Sequence, residues 1–411
     1  MATTDQIGSA NSAATAAGSV DLLIGIAGPV NTDELQSRTA ASLSRLVAGG
    51  LRVAVASPVA TTAEMASLPT QPAPNLQFLS YPLSPASIPP LPWLAVPAAY
   101  REIAHLAEST SARVCIILGQ DLAALDGETV EALARPVLDG QALLSVPIYV
   151  SAKHEGLLNI GVLSPFIRAL YGRQIHHPMA VDFALGGAML SQLATETRRS
   201  QNNAVPCPII DAAVAGMSIA QSHVKVRHER HDSVELSAVL TTLAGAVFED
   251  AERNAAVWQR MRGSHPPTIL GSPSAATIDG NEVDVRPLIE SFKLGWRNLQ
   301  EVWGLVLPPV TLLELKRLSL MPVEQFRMPD QVWAKIIYDF ALAHRLRSIG
   351  RTHLLGALTP LYLAWVASYI GEIQSADATA GEERLDRLAK AYEESKPYFV
   401  SRWRWPDRFN P

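Results

Sequence analysis

Short apolar runs separated by helical patterns fill the first part of this 411-residue sequence and restrict the folds open to it. Each run has the length of a buried strand, and the first is closed by Gly28-Pro29. The runs are Val20–Ala27, Leu51–Ala56, Leu76–Tyr81, Val114–Leu118 and Ala142–Tyr149. The helical segment after the first run has a cap in Asn31, Thr32 or Asp33. Strand, helix and strand in this order predict a parallel sheet with crossover helices, which is an α/β fold.

The pattern changes near residue 233. From Val234 onward, long amphipathic helices replace the strand patterns. Residues 1–19 are mostly Ala, Ser, Thr and Gly, with neither a basic start nor an apolar run, which predicts a disordered tail and not a signal peptide. We therefore expect a tail at residues 1–19, an α/β domain at 20–233 and a helical C-terminal domain at 234–411.

Charge and composition argue against several classes of function. The net charge is −5 and no Lys/Arg run exceeds a pair, which gives no support to nucleic-acid binding. Cys115 and Cys207 show no metal-ligand spacing, so we expect reduced core thiols in a cytoplasmic protein. The segment Leu354–Ile370 is shorter than the ~20 residues of a membrane span and contains Pro360. We expect a buried helix there and no transmembrane segment.

Charged and imidazole side chains gather in the stretch Val146–Leu190. They include Lys153, Glu155, Arg173, His176, His177 and Asp182. Burying such groups unpaired is costly, so the stretch predicts the polar floor of a cleft. The alternative is a solvated connection between two elements. Earlier in the chain, the strand Val114–Leu118 ends in Gly119, Gln120 and Asp121, at the sheet edge where open α/β folds bind ligands.

Several motifs occur in an order that carries a family resemblance. They are Pro147 and Tyr149 at a strand end with Lys153 and Gly156 after it, the segment Ala169–Arg173 (ALYGR), and His177-Pro178 followed by Asp182-Phe183. In this order the chain resembles retaining GT-A-fold glycosyltransferases, most nearly the glucosyl-3-phosphoglycerate synthase and mannosylglycerate synthase groups. The resemblance implies a GT-A domain (nucleotide-diphospho-sugar transferase, Rossmann-like) followed by an all-helical domain. It also implies retaining transfer of a sugar from a nucleotide-diphosphate donor to a small anionic acceptor of the glycerate or phosphoglycerate type.

The resemblance further implies which residues bind the donor. The nucleotide-binding positions are Ala27, Gly28, Asn31, Gln120 and Asp121. A divalent cation, Mg²⁺ or Mn²⁺, would be held by Asp121 and His228, with His231 as the other choice for the second ligand. The alternative for both histidines is a solvated basic turn.

Catalytic and acceptor-binding roles follow from the same resemblance. Asp182 and Asp211 correspond to acids that contact the sugar and the acceptor hydroxyl, although Asp182 would also suit the cap of a following helix. The acceptor-binding positions are Lys153, Asn159 and Arg173. Arg168 belongs to the same group, but its spacing favours a solvated helix face.

Two positions depart from the pattern of the family. Gly119 stands where relatives have the first of two metal-binding acids, and Ala180-Val181 stand where relatives have Gly-Gly before Asp182. A charge-assisted contact contributes roughly 1.5–3 kcal/mol, so we expect weak metal-dependent donor binding. The alternative function is a catalytically weakened or inactive homologue that binds a nucleotide sugar or a partner subunit.

The tryptophans of the helical region suit either a core or the face of a homodimer. They are Trp296, Trp303, Trp365, Trp403 and Trp405. Both interpretations remain open from the sequence.

Overall fold

The computed structural model describes residues 19–59, 74–88, 96–119, 122–150, 154–199, 207–227, 233–273, 283–374 and 378–406.

An eight-stranded mixed sheet organises the first part of the structure. Its strands are β1 Leu22–Ile26, β2 Val53–Val59, β3 Leu76–Pro82, β4 Val114–Leu118, β5 Leu144–Val150, β6 Phe183–Gly186, β7 Ile219–Arg227 and β8 Thr268–Leu270. They lie in the order β3-β2-β1-β4-β6-β5-β7-β8. All pairings are parallel except those of β6, which runs antiparallel to β4 and β5. The strand order reverses at β1, so the carboxyl ends of β1 and β4 adjoin at a topological switch point.

Helices cover both faces of the sheet. In this part of the chain they are α1 Thr32–Ser42, α2 Ser44–Ala48, α3 Pro97–Ser109, α4 Gly127–Leu138, α5 Ser164–Tyr171, α6 Ala188–Arg199 and α7 Pro208–Val214. Alternate residues of a strand face opposite sides. Leu22 and Ile24 of β1 accordingly pack in one core with Val130 of α4, whereas Leu23 packs with Ile103 of α3 in the other.

The rest of the described chain is almost entirely helical. Its helices are α8 Ser233–Arg253, α9 Ala255–Trp258, α10 Arg286–Val306, α11 Pro309–Ser319, α12 Asp330–Leu346, α13 Arg351–Ile373 and α14 Ala378–Arg404. The predicted α/β domain followed by a helical C-terminal region is confirmed. The boundary near residue 233 stays a prediction, because β8 follows that residue and still pairs with β7 of the sheet.

A single hydrophobic core joins the sheet to the helical region. It contains Leu163 and Phe166, next to the sheet, together with Trp333 and Trp365 of the C-terminal helices. In the part of the chain that the structure describes, α13 is the one helix long and apolar enough to cross a membrane. Other elements bury 72% of its most apolar window, as we expect for a core helix.

The tryptophans divide between the core and the surface. Trp303, Trp365 and Trp403 are buried, Trp296 is half-buried and Trp405 is exposed. The core interpretation therefore holds for the first three. The homodimer stays a prediction.

One turn of π-helix, Asn159–Leu163, links the sheet to the helical region, and we call it the π-turn. Its Gly161 carbonyl accepts hydrogen bonds from Nε1 of Trp333 at 2.9 Å and from the hydroxyl of Tyr392 at 3.3 Å. A β-carbon on Gly161 would lie 2.1 Å from the ring of Trp365, so only glycine fits. Three C-terminal helices thus contact one peptide of the π-turn.

Arg168 of α5 reinforces this connection. Its guanidinium pairs with Asp386 at 2.8 Å and with Glu393 at 3.2 Å, both on α14. The side chain is only 14% exposed, so the expected solvated helix face is wrong. Because both ion pairs are intramolecular, Arg168 joins two helices, and its part in an acceptor site stays a prediction.

Candidate functional site

The antiparallel strand β6 brings an acid to the ligand-binding edge of the sheet. Since β6 runs against its neighbours, the residue before it, Asp182, lies beside the carboxyl ends of β4 and β5. Gly119 follows β4, and Tyr149 lies near the end of β5. His177 lies next to Tyr149, with ring centroids 5.3 Å apart in an edge-on arrangement. We call Gly119, Tyr149, His177 and Asp182 the strand-edge site.

Hydrogen bonds fix the carboxyl group of Asp182 within this site. Its Oδ1 accepts from the backbone N–H of Gly119 at 2.8 Å, and its Oδ2 accepts from the hydroxyl of Tyr149 at 2.7 Å. Burial, and then the charge of Asp182, raise the pKa of the Tyr149 phenol well above its ordinary value. The phenol therefore keeps its proton at neutral pH and acts as a donor. Asp182 is followed by a strand, so the helix-cap interpretation is wrong.

The loop that precedes Asp182 is anchored to the π-turn. The amide oxygen of Asn159 accepts from the backbone N–H of Met179 at 3.2 Å. Both His177 and Asn159 are almost fully buried, at 4% and 7% exposure. Residues 177–182 are thus fixed from one side by the π-turn and from the other by the strand ends.

The two departures from the family pattern are in contact with each other. A β-carbon on Gly119 would lie 2.8 Å from Cγ2 of Val181 and 3.3 Å from its Cβ. The Val181 side chain therefore occupies the space that any side chain at position 119 would need. In the present packing an acid at position 119 does not fit without movement of Val181.

Of the predicted nucleotide-binding residues that the structure describes, Ala27 and Gly28 lie beside the end of β4, whereas Asn31 caps a helix. The backbone N–H of Ala27 donates to the carbonyl of Leu118 at 2.8 Å, so Ala27 and Gly28 lie beside the end of β4. Asn31 caps α1, because its side-chain oxygen accepts from the N–H groups of Asp33 and Glu34. That cap was predicted as well, and it occupies the oxygen of the Asn31 amide.

Other predicted residues lie outside the described ranges. They are Gln120, Asp121, Lys153, His228 and His231. Within the described ranges, no group of three or more His, Cys, Asp or Glu side chains suits a metal ion. Both Asp182 oxygens accept hydrogen bonds from protein donors. The predicted metal ligands Asp121 and His228 lie outside the described ranges, so the Mg²⁺ or Mn²⁺ site stays a prediction.

Asp211 and Arg173 have different positions. Asp211 is half-buried in the first turn of α7 and lies near Cys207, whose Sγ contacts the carbonyl of Pro178 at 3.8 Å. Asp211 is thus close to the loop that carries His177. Arg173 is not part of this group, because its guanidinium donates to the carbonyl of Met217, beyond the amino end of β7. Arg173 thus lies at the opposite edge of the sheet from Asp182, and its acceptor role stays a prediction.

Sequence reasoning did not assign individual roles to Tyr149 and His177. Both belong to the motifs that carried the resemblance, and Tyr149 is at the carboxyl end of a predicted strand. The Tyr149 hydroxyl at the carboxyl end of that strand was the sequence feature that could have identified it as a hydrogen-bond donor in the site.

Comparisons with known proteins give matches only among solved structures. No protein-family model matches the sequence, and no curated protein matches it. Three of the matching structures are of glucosyl-3-phosphoglycerate synthase from Mycobacterium tuberculosis, one of them in complex with Mn²⁺, uridine diphosphate and phosphoglyceric acid and another with phosphoglyceric acid.

The similarity to these structures is low. The complex with Mn²⁺ is 18% identical, has a TM-score of 0.37 and aligns 56% of this chain with 78% of its own. The second structure is 17% identical with a TM-score of 0.35, and 56% of this chain aligns with 80% of it. The phosphoglycerate complex is 17% identical with a TM-score of 0.36, and 62% of this chain aligns with 89% of it. Such values carry no inference about residues or chemistry, so the fold assignment depends on strand order.

Proposed function

We propose that the chain is a nucleotide-sugar-dependent glycosyltransferase that acts on a small anionic acceptor, of the glycerate or phosphoglycerate type, with retention of configuration. The observation that carries the proposal is the strand-edge site, where Tyr149, His177 and Asp182 meet at the ends of β4 and β5. These residues come from two motifs of the sequence resemblance, Tyr149 from one and His177 with Asp182 from the other. The site adjoins the switch point between β1 and β4, where open α/β sheets bind ligands.

The proposed donor complex uses the ends of β1 and β4. Ala27 and Gly28 would contact the nucleotide together with Gln120 and Asp121. Asp121 and His228 remain the proposed ligands of a Mg²⁺ or Mn²⁺ ion, which when bound would neutralise charge on the leaving diphosphate.

Asp182 has a positioning part in this proposal. It holds the Gly119 peptide and Tyr149 in place, and the remaining lone pairs of its carboxylate could accept a hydrogen bond from a sugar hydroxyl. Asn159 would reach an acceptor through its amide NH₂, since its oxygen binds Met179. Lys153 and Asp211 are the other proposed acceptor contacts. Positive charge would develop on the glycosyl carbon during transfer, and negative groups at the strand ends would stabilise it.

A second candidate function is favoured by the contact between Gly119 and Val181. Because Val181 fills the space beside Gly119, the site lacks an acid there and resists regaining one. A homologue that binds a nucleotide sugar, or a partner subunit, with little or no turnover would have this arrangement.

Calorimetric titration separates the two candidates. UDP- and GDP-sugars are titrated with and without Mg²⁺ or Mn²⁺, and turnover is assayed with glycerate and 3-phosphoglycerate. Saturable binding with turnover supports the enzyme, and binding without turnover supports the second candidate. No binding of any nucleotide sugar contradicts both.

A pair of tyrosine variants tests the location of the site. Tyr149→Phe removes the hydroxyl that donates a hydrogen bond to Asp182. We expect this variant to bind the nucleotide sugar more weakly. Tyr338→Phe is the matched control, because it also removes a hydroxyl hydrogen bond, to the Tyr392 carbonyl at 2.8 Å, but in the helical core. If both variants weaken binding of the nucleotide sugar equally, the nucleotide sugar does not bind at the strand-edge site.

A further inference from the structure

A second concave site lies away from the strand-edge site. It is a pocket of about 440 Å³ between the segment 259–263 and the end of α14. This volume is within the range of small-molecule sites. The carbonyls of Ala169 and Leu170, at the C-terminal end of α5, adjoin its floor through Lys396. The π-turn adjoins the other end of α5, so an entire helix separates the pocket from the strand-edge site.

The lining of this pocket has an excess of positive charge. Among the described residues, Arg262, Lys396 and Arg404 line it, and the single lining carboxylate is Glu393. Glu393 already pairs with Arg168 at 3.2 Å. Three cations against one carboxylate leave a local excess of two positive charges in a chain whose net charge is −5. A surface concavity of this kind attracts anions.

Lys396 forms a rigid cationic floor. Its ammonium donates to the carbonyls of Ala169 at 2.7 Å and Met261 at 2.9 Å, and also to that of Leu170. Burial, and then the nearby charge of Arg262, lower its pKa to about 8. Two like charges are therefore held close together, and a bound anion would relieve their repulsion.

An aromatic surface stands at the rim of the pocket. Trp405 is 73% exposed, which is unusual for so large a side chain, and Pro397 and Val400 add an apolar wall. Arg404 reaches across to Gln259, with Nε 3.0 Å from the amide oxygen. The pocket thus combines cations with a ring surface suited to stacking.

We propose that this pocket binds a small phosphate monoester that carries an aromatic or heteroaromatic ring. The phosphate lies between Arg262 and Arg404, and the ring stacks on Trp405. A phosphate monoester carries about −1.5 to −2 charges at pH 7, which matches the local excess of positive charge better than a carboxylate does. Arginine is also the side chain best suited to grip phosphate oxygens in pairs.

Calorimetric titration of the full chain with phenyl phosphate tests the proposal. We expect saturable binding that is about tenfold or more weaker in Arg262→Gln and in Arg404→Gln. Arg260→Gln is the matched control, because Arg260 is an exposed neighbour in sequence that does not line the pocket. We expect its affinity to equal that of the native chain. Arg262 and Arg404 are exposed, so both variants should fold, which thermal unfolding checks.

The part of Trp405 is tested separately with inorganic phosphate as a second probe. We expect inorganic phosphate to bind at least about tenfold more weakly than phenyl phosphate, since a stacked ring adds affinity. Trp405→Ala should remove that difference. The proposal fails if phenyl phosphate shows no saturable binding, if Arg260→Gln weakens it as much as Arg262→Gln does, or if Trp405→Ala leaves the difference between the probes unchanged.

Discussion

Gly119 and Gly161 are both required by crowding, but in surroundings of opposite character. A β-carbon on Gly119 would lie 2.8 Å from Cγ2 of Val181, and one on Gly161 would lie 2.1 Å from Cη2 of Trp365. Val181 is half-buried in a loop, whereas Trp365 is fully buried and stacks on Trp333. A loop side chain can shift, but a stacked ring in a close-packed core cannot. The crowding is therefore adjustable at the strand edge and fixed at the π-turn.

This difference in crowding indicates which of the two regions can tolerate substitutions. The strand-edge site can be altered through residue 181 without disturbing the core. The π-turn, on which the loop before Asp182 depends through Asn159, provides the fixed reference for that site.

The largest expected effect is that of Gly161→Ala. The added methyl group overlaps the Trp365 ring, so we expect the free energy of unfolding to fall by about 3 kcal/mol or more. Urea unfolding measures it. The matched control is Gly356→Ala on α13, where a β-carbon meets no atom within 4 Å and helix propensity should add up to about 1 kcal/mol. A loss below about 1 kcal/mol for Gly161→Ala would show that the π-turn is as adjustable as the strand edge.

Trp333→Phe tests the polar side of the same contact. The change removes the hydrogen bond from Nε1 to the Gly161 carbonyl and leaves part of the indole volume empty. We expect a loss of about 2 kcal/mol in urea unfolding. Trp405→Phe is the control, since Trp405 is exposed and its change should stay within about 0.5 kcal/mol. Equal losses would contradict a specific role for the Gly161 carbonyl.

The pH dependence of stability tests whether the buried carboxyl of Asp339, in the helical region, is ionised beside Arg402. Asp339 is 2% exposed and pairs with Arg402 at 3.0 Å. Burial raises its pKa to about 7, although Arg402 and Tyr398 act in the opposite direction. Because the folded pKa is the higher one, the stability that this group contributes is complete below about pH 4 and is lost as the pH rises through 7.

We therefore expect the native chain to lose at least about 1 kcal/mol more than Asp339→Asn between pH 4 and pH 7, equivalent to roughly one pKa unit. Unfolding curves at several pH values give the two slopes. Identical slopes would mean that Asp339 stays ionised throughout, held by Arg402.

A double-mutant cycle at Gly119 and Val181 tests the adjustable side of the comparison. Gly119→Ala should cost about 1–2 kcal/mol by overpacking, since Gly119 has no positive φ that would disfavour alanine. Adding Val181→Ala makes room for the new methyl group, so the two changes should be coupled by about 1 kcal/mol. Additive losses in urea unfolding would show that Val181 is not the obstacle.

The last expected effect concerns binding of the nucleotide-sugar donor. Gly119→Asp alone should not tighten metal-dependent binding of a nucleotide sugar, because Val181 blocks the new side chain. Gly119→Asp with Val181→Gly should tighten it by about tenfold or more, since one charge-assisted contact contributes roughly 1.5–3 kcal/mol. Calorimetry with Mn²⁺ compares the two variants, and a single variant that binds as tightly as the double one would refute the coupling.

The fold was largely predictable because its strands are local apolar runs. β1 to β5 each matched such a run, and β7 showed an alternating pattern. β6 was missed, since four residues, Phe183–Gly186, carry too little periodicity to distinguish a strand from a connection. β8 has only three residues, Thr268–Leu270, and forms by pairing with β7, which no local pattern encodes.

The site was less predictable, because its contacts depend on the direction of β6. Asp182 was identified, but its bond to the Gly119 amide exists only in the antiparallel register that brings it beside β4. Arg168 was misjudged because its partners, Asp386 and Glu393, lie more than two hundred residues later in the sequence. The separation of Arg173 from Asp182 was not predictable, because the chain between them crosses from one edge of the sheet to the other.

The dependence of the π-turn on distant helices has a consequence for synthesis of the chain. On the ribosome, residues 159–163 emerge long before Trp333, Trp365 and Tyr392, which complete their packing. A domain generally folds as a unit while the chain emerges at about 5–20 residues per second, so the sheet waits roughly ten seconds or more for these partners. During that interval the Gly161 carbonyl and the apolar face around Phe166 are uncovered. We expect aggregation and chaperone binding to be favoured during this interval.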